Sequence, residues 1–260
     1  MRHEELPLPS PRFAPAVPES RVGGDLHAVC DSPYGLRVLI GDVRGKGATA
    51  AGGADALLAG FRTAARSAAT LPGVVNALED TMARYAAARQ DGVAEEDFAS
   101  AVVAEFTADG RTLRLLNHAH PAPFLLRPGS VQALEPVRPG LPLGLGALGP
   151  AGRPPEPLTV PFPADGTLLL LTDGTTEARD ADGAFYDPLP RLARHGGAAP
   201  EDLVRLLRRE VRDHTAGRLA AGRARTPDDM AVLAVRPHRT TAGVTAPAPV
   251  SAPVACGPCA

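Results

Sequence analysis

Two spacings of apolar residues alternate along this chain. His27–Cys30 and Leu36–Gly41 read as strands joined by a turn at Asp31-Ser32-Pro33-Tyr34-Gly35. From Ala48 to about Ala69 the period lengthens, and Leu57, Leu58, Phe61 and Ala65 fall on one helical face. Gly52 and Gly53 each weaken that helix by about 1 kcal/mol relative to Ala. Pro72 opens a second helix to about Arg89, with Val74, Val75, Leu78, Met82 and Tyr85 on one side. Strands follow at Phe98–Phe106, Thr112–Asn117 and Phe124–Leu126, the first two joined through the hairpin signal Asp109-Gly110. Residues 138–165 are proline-rich and read as loop. Gly166–Thr172 is a continuous apolar strand, Pro200 to about Thr215 a helix, and Met230–Arg236 a last strand. Strands, then helices, then strands, without strict βαβ alternation, predict an α+β fold with antiparallel sheets.

The pattern sets the boundaries. Residues 1–20 hold five prolines and no periodic apolar positions, and read as an extended Pro-rich lead-in. The folded domain is expected over 21–237. Residues 238–260 form an Ala/Pro-rich tail without charge after Arg239, a composition that predicts disorder.

Composition narrows the classes. The chain is 44% hydrophobic but only 4% aromatic, with no Trp, so Leu, Val and Ala must build the core. Basic and acidic residues number 27 and 29, a formal net charge of -2, which gives no global field to attract nucleic acid or a membrane surface. Three cysteines, two of them at the C-terminus, make no disulfide framework. No run reaches the roughly 18 apolar residues of a membrane span. The N-terminus lacks the apolar segment of a secretory signal, so a cytoplasmic location is expected. Oligomeric state is not legible.

Chemistry enters with the aspartates. Asp25 precedes a strand, Asp42 and Asp173 each follow one, and Asp228 and Asp229 directly precede the last. Aspartate is disfavoured inside strands and belongs at their ends. Each aspartate alone also fits an ordinary turn. If the ends converge, the carboxylates repel by several kcal/mol at about 4 Å and an effective dielectric near 20. Divalent cations offset that repulsion, and an all-oxygen donor set suits Mg²⁺, Mn²⁺ or Ca²⁺ rather than zinc.

Six segments carry a family resemblance: Arg21-Val-Gly-Gly-Asp25, Gly41-Asp-Val-Arg-Gly-Lys-Gly47, Asn117-His-Ala-His-Pro-Ala-Pro123, Gly140-Leu-Pro-Leu-Gly144, Leu171-Thr-Asp-Gly-Thr-Thr-Glu-Ala178 and Pro227-Asp-Asp-Met230. In this order they resemble the stage-II-sporulation-protein-E branch of the metal-dependent, phosphatase 2C-like protein phosphatases. The resemblance implies two stacked antiparallel β-sheets flanked by helices on both outer faces. It implies two Mn²⁺ or Mg²⁺ ions held by Asp25, Asp42, the Val43 carbonyl, Asp173 and Asp228, with Asp229 beside them. The implied reaction is hydrolysis of phosphoserine or phosphothreonine on a protein, such as a bacterial anti-sigma-factor antagonist or a related signalling protein, by a metal-activated water.

The chain departs from the family in three places. Leu26-His27-Ala28 replaces an aromatic pair with a second aspartate, Arg44 stands where serine is common, and His118-Ala119-His120 lacks the usual glycine. Arg44 and Arg21 flank the acidic site and could grip phosphate bidentately. His120 is a candidate proton donor to the leaving oxygen. Competing readings are a phosphatase fold that binds a partner without turnover, and a hydrolase of small phosphoesters. Gly41–Gly47 fails as a P-loop because its glycines are too close and Lys46 is followed by Gly. Cys256-Gly-Pro-Cys259 lacks the strand and helix that lower a redox thiol's pKa. Cys30, His118 and His120 lack zinc spacing.

Overall fold

The computed structural model describes residues 12–16, 23–88, 97–149, 154–220 and 230–238. Its strands are β1 (Arg12–Ala16), β2 (Asp25–Ser32), β3 (Gly35–Val43), β4 (Ala99–Phe106), β5 (Thr112–His118), β6 (Phe124–Arg127), β7 (Ser130–Ala133), β8 (Leu158–Pro161), β9 (Thr167–Leu171) and β10 (Val232–His238). The helices are α1 (Gly47–Ser67), α2 (Leu71–Ala88), α3 (Asp173–Thr176), α4 (Leu189–His195) and α5 (Pro200–Ala220). Two five-stranded antiparallel sheets form, ordered β1-β10-β9-β6-β7 and β2-β3-β4-β5-β8.

Alternation along each strand divides the apolar residues into three layers. Val38, Ile40, Val102, Leu115, Leu168, Leu170 and Leu233 pack between the sheets. Leu39, Val103 and Leu116 turn outward against Leu57, Phe61, Leu78 and Met82 of α1 and α2. Leu169, Leu171 and Val232 turn outward on the other sheet against Leu203 and Leu207 of α5. Each fully buried Leu or Val contributes about 1.5–3 kcal/mol of transfer free energy. The result is the expected α+β sandwich with helices on both outer faces.

Gly52 and Gly53 do occur within α1, and they have a packing role. A Cβ on Gly53 would stand 2.9 Å from Val43 Cγ1, and one on Gly52 2.9 Å from the Tyr85 hydroxyl, which donates to the Thr49 carbonyl at 2.7 Å. The propensity cost lets α1 lie close on β3 and α2, directly behind Asp42-Val43. At the far end of the same face Arg37 is fully buried. It donates to Glu105 Oε2 at 2.9 and 2.6 Å and to the Ala65 and Ala68 carbonyls at 3.0 and 2.6 Å, which closes the C-terminal end of α1.

The lead-in reading of residues 1–20 needs correction. Arg12–Ala16 is an edge strand on β10, with Pro15 opposite Val235. Proline is tolerated on an edge, where its missing N–H deprives no ladder bond, so prolines did not exclude a strand there. The loop reading of 138–165 is also too coarse, since Leu158–Pro161 pairs with β5. The expected tail beyond His238 lies outside the described residues, as does Cys256-Gly-Pro-Cys259.

Candidate metal centre and substrate cleft

Strand parity decides where the aspartates point. Val38 and Ile40 of β3 fill the layer between the sheets, so Asp42 shares their face. Its register partners are Asp25 on β2 and Ser100 on β4. Directly opposed residues have Cβ atoms about 4.5–5.5 Å apart. Asp25, Asp42 and Ser100 therefore form one row where the inter-sheet layer gives way from apolar to polar. On the facing sheet Leu168 and Leu170 of β9 belong to the same layer, and Thr172 is the next residue of that parity. Its hydroxyl donates to Asp25 Oδ2 at 2.9 Å and accepts from the Ala231 N–H at 2.8 Å, while its own N–H donates to the Ala231 carbonyl at 3.0 Å.

Asp173 follows Thr172 and is exposed at the start of the single-turn α3. A cleft of about 610 Å³ opens here, walled by Asp42, Arg44, Ser100, His120, Asp173 and Glu177. The structure thus brings Asp25, Asp42, Val43 and Asp173 to one end of the sandwich. Among the described residues, no three of His, Cys, Asp or Glu stand together closely enough to hold an ion by themselves. Asp228, Asp229 and Arg21 lie outside the described residues.

The residues present fit a hard divalent cation. A Cβ on Gly24 would stand 2.2 Å from the Val43 carbonyl oxygen and 2.5 Å from Asp42 Oδ1. Two oxygens of different chemistry therefore face one point that only glycine leaves open, beside a third donor, Asp25. An all-oxygen set of carboxylates and a carbonyl suits Mg²⁺ or Mn²⁺.

His120 comes to the cleft by a rigid turn. Asn117 Nδ2 donates to the His120 carbonyl at 2.9 Å, and the His120 N–H donates back to Asn117 Oδ1 at 2.8 Å. Ala119, at the tip, has φ of 53°, the left-handed region that costs a residue with a Cβ about 1 kcal/mol. His120 Nδ1 lies 2.8 Å from Ser100 Oγ. Burial pushes the His120 pKa down from 6.5 to about 4, partly offset by the Leu171 carbonyl. The ring is therefore neutral at pH 7, which argues against the expected proton-donor role. So weak a base is also poorly matched to activating Ser100 as a nucleophile. His118 has the parity of Leu116, which faces α1 and α2, and its Nδ1 lies 2.8 Å from the Leu141 carbonyl oxygen. Arg44 stands at the rim with its guanidinium 5.2 Å from the Phe98 ring centroid.

Sequence reasoning missed Gly24, Ser100 and Thr172. Ser100 interrupts the apolar run Ala99–Ala104 of β4 and Thr172 directly follows the apolar β9, and both were visible as polar residues within or beside runs too apolar to be exposed.

A β-sandwich with carboxylates at one end of its inter-sheet layer has the architecture of the phosphatase 2C type, and comparison with known proteins agrees. Residues 32–238 match the profile of the stage II sporulation protein E (SpoIIE) family. The phosphatase 2C domain of SiaA from Pseudomonas aeruginosa superposes with a TM-score of 0.66 at 15% identity, covering 86% of this chain and 85% of that one. The SpoIIE phosphatase domain with a regulatory fragment, from Bacillus subtilis, gives 0.67 at 17% identity, covering 89% of this chain and 65% of that one. RsbX in complex with magnesium gives 0.58 at 13% identity, covering 89% and 98%. These identities establish the fold. No curated protein matches the chain in sequence. The chain belongs to the SpoIIE family, and with it to the metal-dependent serine/threonine protein phosphatases.

Proposed function

We propose that this phosphatase hydrolyses phosphoserine or phosphothreonine on a small bacterial signalling protein of the anti-sigma-factor-antagonist kind, in the cytoplasm. We further propose that Asp25, Asp42, the Val43 carbonyl, Asp173 and Asp228 hold two Mn²⁺ or Mg²⁺ ions, with Asp229 adjacent. The observation that carries this reading is the convergence of Asp42 Oδ1 and the Val43 carbonyl on the Gly24 backbone, with Asp25 in register beside them.

When bound, the ions supply an activated water and neutralise the phosphoryl oxygens, the two requirements that dominate phosphoryl transfer. The chain's own residues position and select. Asp42, Ser100 and Asp173 line the cleft, with Asp25 in register beside Asp42. Arg44, carried on the turn after β3 beside Phe98, is the first candidate to contact a phosphate oxygen arriving from solvent. Neutral His120 fixes Ser100 rather than moving a proton. Arg21 is a second candidate phosphate contact.

The test is turnover of a phosphoserine peptide and of an aryl phosphate, with Mn²⁺, Mg²⁺ or EDTA present. Hydrolysis should require a divalent ion and should be lost in Asp42→Asn and in Asp173→Asn. Full activity in both variants would remove the basis for this assignment.

A further inference from the structure

We propose that Thr172 is a positioning residue that locks Asp25 of one sheet to the start of β10 on the other, so that both sheets shape a single metal site. The proposal rests on the metal-centre reading above.

Thr172 is fully buried, and Asp25 is 8% exposed. One hydroxyl serves two masters here. A threonine hydroxyl has a single proton and two lone pairs. Ala231 N–H, donating from 2.8 Å, occupies a lone pair. The proton is thereby directed to Asp25 Oδ2 at 2.9 Å, in preference to the Ala231 carbonyl at 3.5 Å. The bond engages Oδ2 from the side of β9 and restrains the rotation of the carboxylate. A hydrogen bond to a charged carboxylate is stronger than one between neutral groups. Partners that orient a ligand in this way typically change metal affinity or activity 10–100-fold when removed.

The second half of the lock concerns the chain entering β10. Ala231 is held to Thr172 through both its N–H and its C=O. Three residues before it in sequence is Asp228. Thr172 also directly precedes Asp173. A single side chain is thus bonded to one proposed ligand, adjacent to a second, and bonded to the backbone three residues from a third. Asp25 opens β2 of one sheet, Asp173 comes two residues after the end of β9 in the other, and Asp228 precedes β10 in sequence.

Calorimetric titration with Mn²⁺, in the absence of substrate, tests this. Thr172→Val keeps the shape and removes the hydroxyl. It should weaken Mn²⁺ binding roughly 10- to 100-fold. Thr172→Ser, which keeps both bonds, should bind within about threefold of wild type, a rescue that shape or packing alone would not produce. Thr172→Val binding Mn²⁺ as tightly as wild type overturns the proposal, provided Asp42→Asn loses binding in the same series. If Asp42→Asn also binds like wild type, the metal-centre reading itself is wrong. Should Thr172→Val fail to fold, amide exchange at Ala231 gives the answer in Asp25→Ala. Loss of the carboxylate frees the hydroxyl, and that amide should exchange roughly tenfold faster while those of β4 and β5 do not change. Equal exchange at Ala231 in the two proteins overturns the proposal.

Discussion

Replacing Asp42 with asparagine should make this protein more stable without metal and less responsive to metal. Asp25 and Asp42 face each other across the β2–β3 ladder on one face, and Asp25 is buried. Taking about 5 Å between the carboxylates, their repulsion is about 0.8 kcal/mol at the dielectric of water and about 3 kcal/mol at an effective value near 20. Asp42→Asn keeps shape and removes one charge, so the metal-free protein should gain between those limits. For a domain of this size that is a rise in Tm of roughly 2–10 °C. With Mn²⁺ the order reverses. A ligand at about 1,000 times its Kd stabilises the native state by about 4.1 kcal/mol, more than the upper limit of the repulsion, and only wild type should gain it. Thermal unfolding of both proteins in EDTA and in a Mn²⁺ series measures all four states. The reasoning fails if Asp42→Asn is the less stable protein in EDTA, or if Mn²⁺ raises both Tm values equally.

Three further outcomes are expected. Glu105→Ala leaves the buried Arg37 guanidinium without its carboxylate and should cost about 3–5 kcal/mol in urea unfolding, whereas Arg37→Met combined with Glu105→Leu should recover most of that loss. Additive losses in the double variant would show that the pair is not coupled. Ala119→Gly relieves a left-handed alanine and should stabilise the fold by about 1 kcal/mol, read from the same unfolding curves, with a loss of stability refuting the strain. His120 has a pKa depressed from 6.5 to about 4 by burial, so its contribution is complete above pH 6.5 and is lost as the pH falls toward 4. At about 1.4 kcal/mol per unit the loss is about 3 kcal/mol, and His120→Asn should flatten that part of the stability profile; an unchanged slope would assign the acid sensitivity to other groups.

The elements that carry the aspartates were legible because they are long and strongly patterned. The β2–β3 hairpin, α1, α2 and β9 occur close to the positions that periodicity predicts. The short edge strands were not. Arg12–Ala16, Ser130–Ala133 and Leu158–Pro161 have four or five residues each; the first and third contain proline and pair with strands distant in sequence, and the second is largely polar and hairpins onto β6. Local pattern cannot reveal a strand whose stability comes from a neighbour. Arg37 and Glu105 mislead for a related reason. A charge in a strand suggests an exposed face, and only the α1 carbonyls and the β4 register turn this pair into a buried one.

The site was half legible, and the missing half is register. Parity alone puts Asp42 on the face of Val38 and Ile40, and Thr172 on the face of Leu168 and Leu170. It does not say that Asp25 stands opposite Asp42 or that Ser100 flanks it. That alignment follows from contacts within the hairpin and at its open end. Pro33-Tyr34 closes the hairpin in two residues, with Ser32 opposite Gly35. Gly24 lets its backbone meet the Val43 carbonyl, and the Val43 N–H donates to the Gly24 carbonyl at 3.0 Å. A slip of one residue would turn Asp25 onto the face of Leu26 and Ala28, against α1. The tight turn at one end and the side-chain-free approach at the other leave one alignment, in which the repelling carboxylates share an edge. The apolar strands supply the free energy that holds them there, and the proposed divalent cation would make the arrangement favourable rather than merely tolerated.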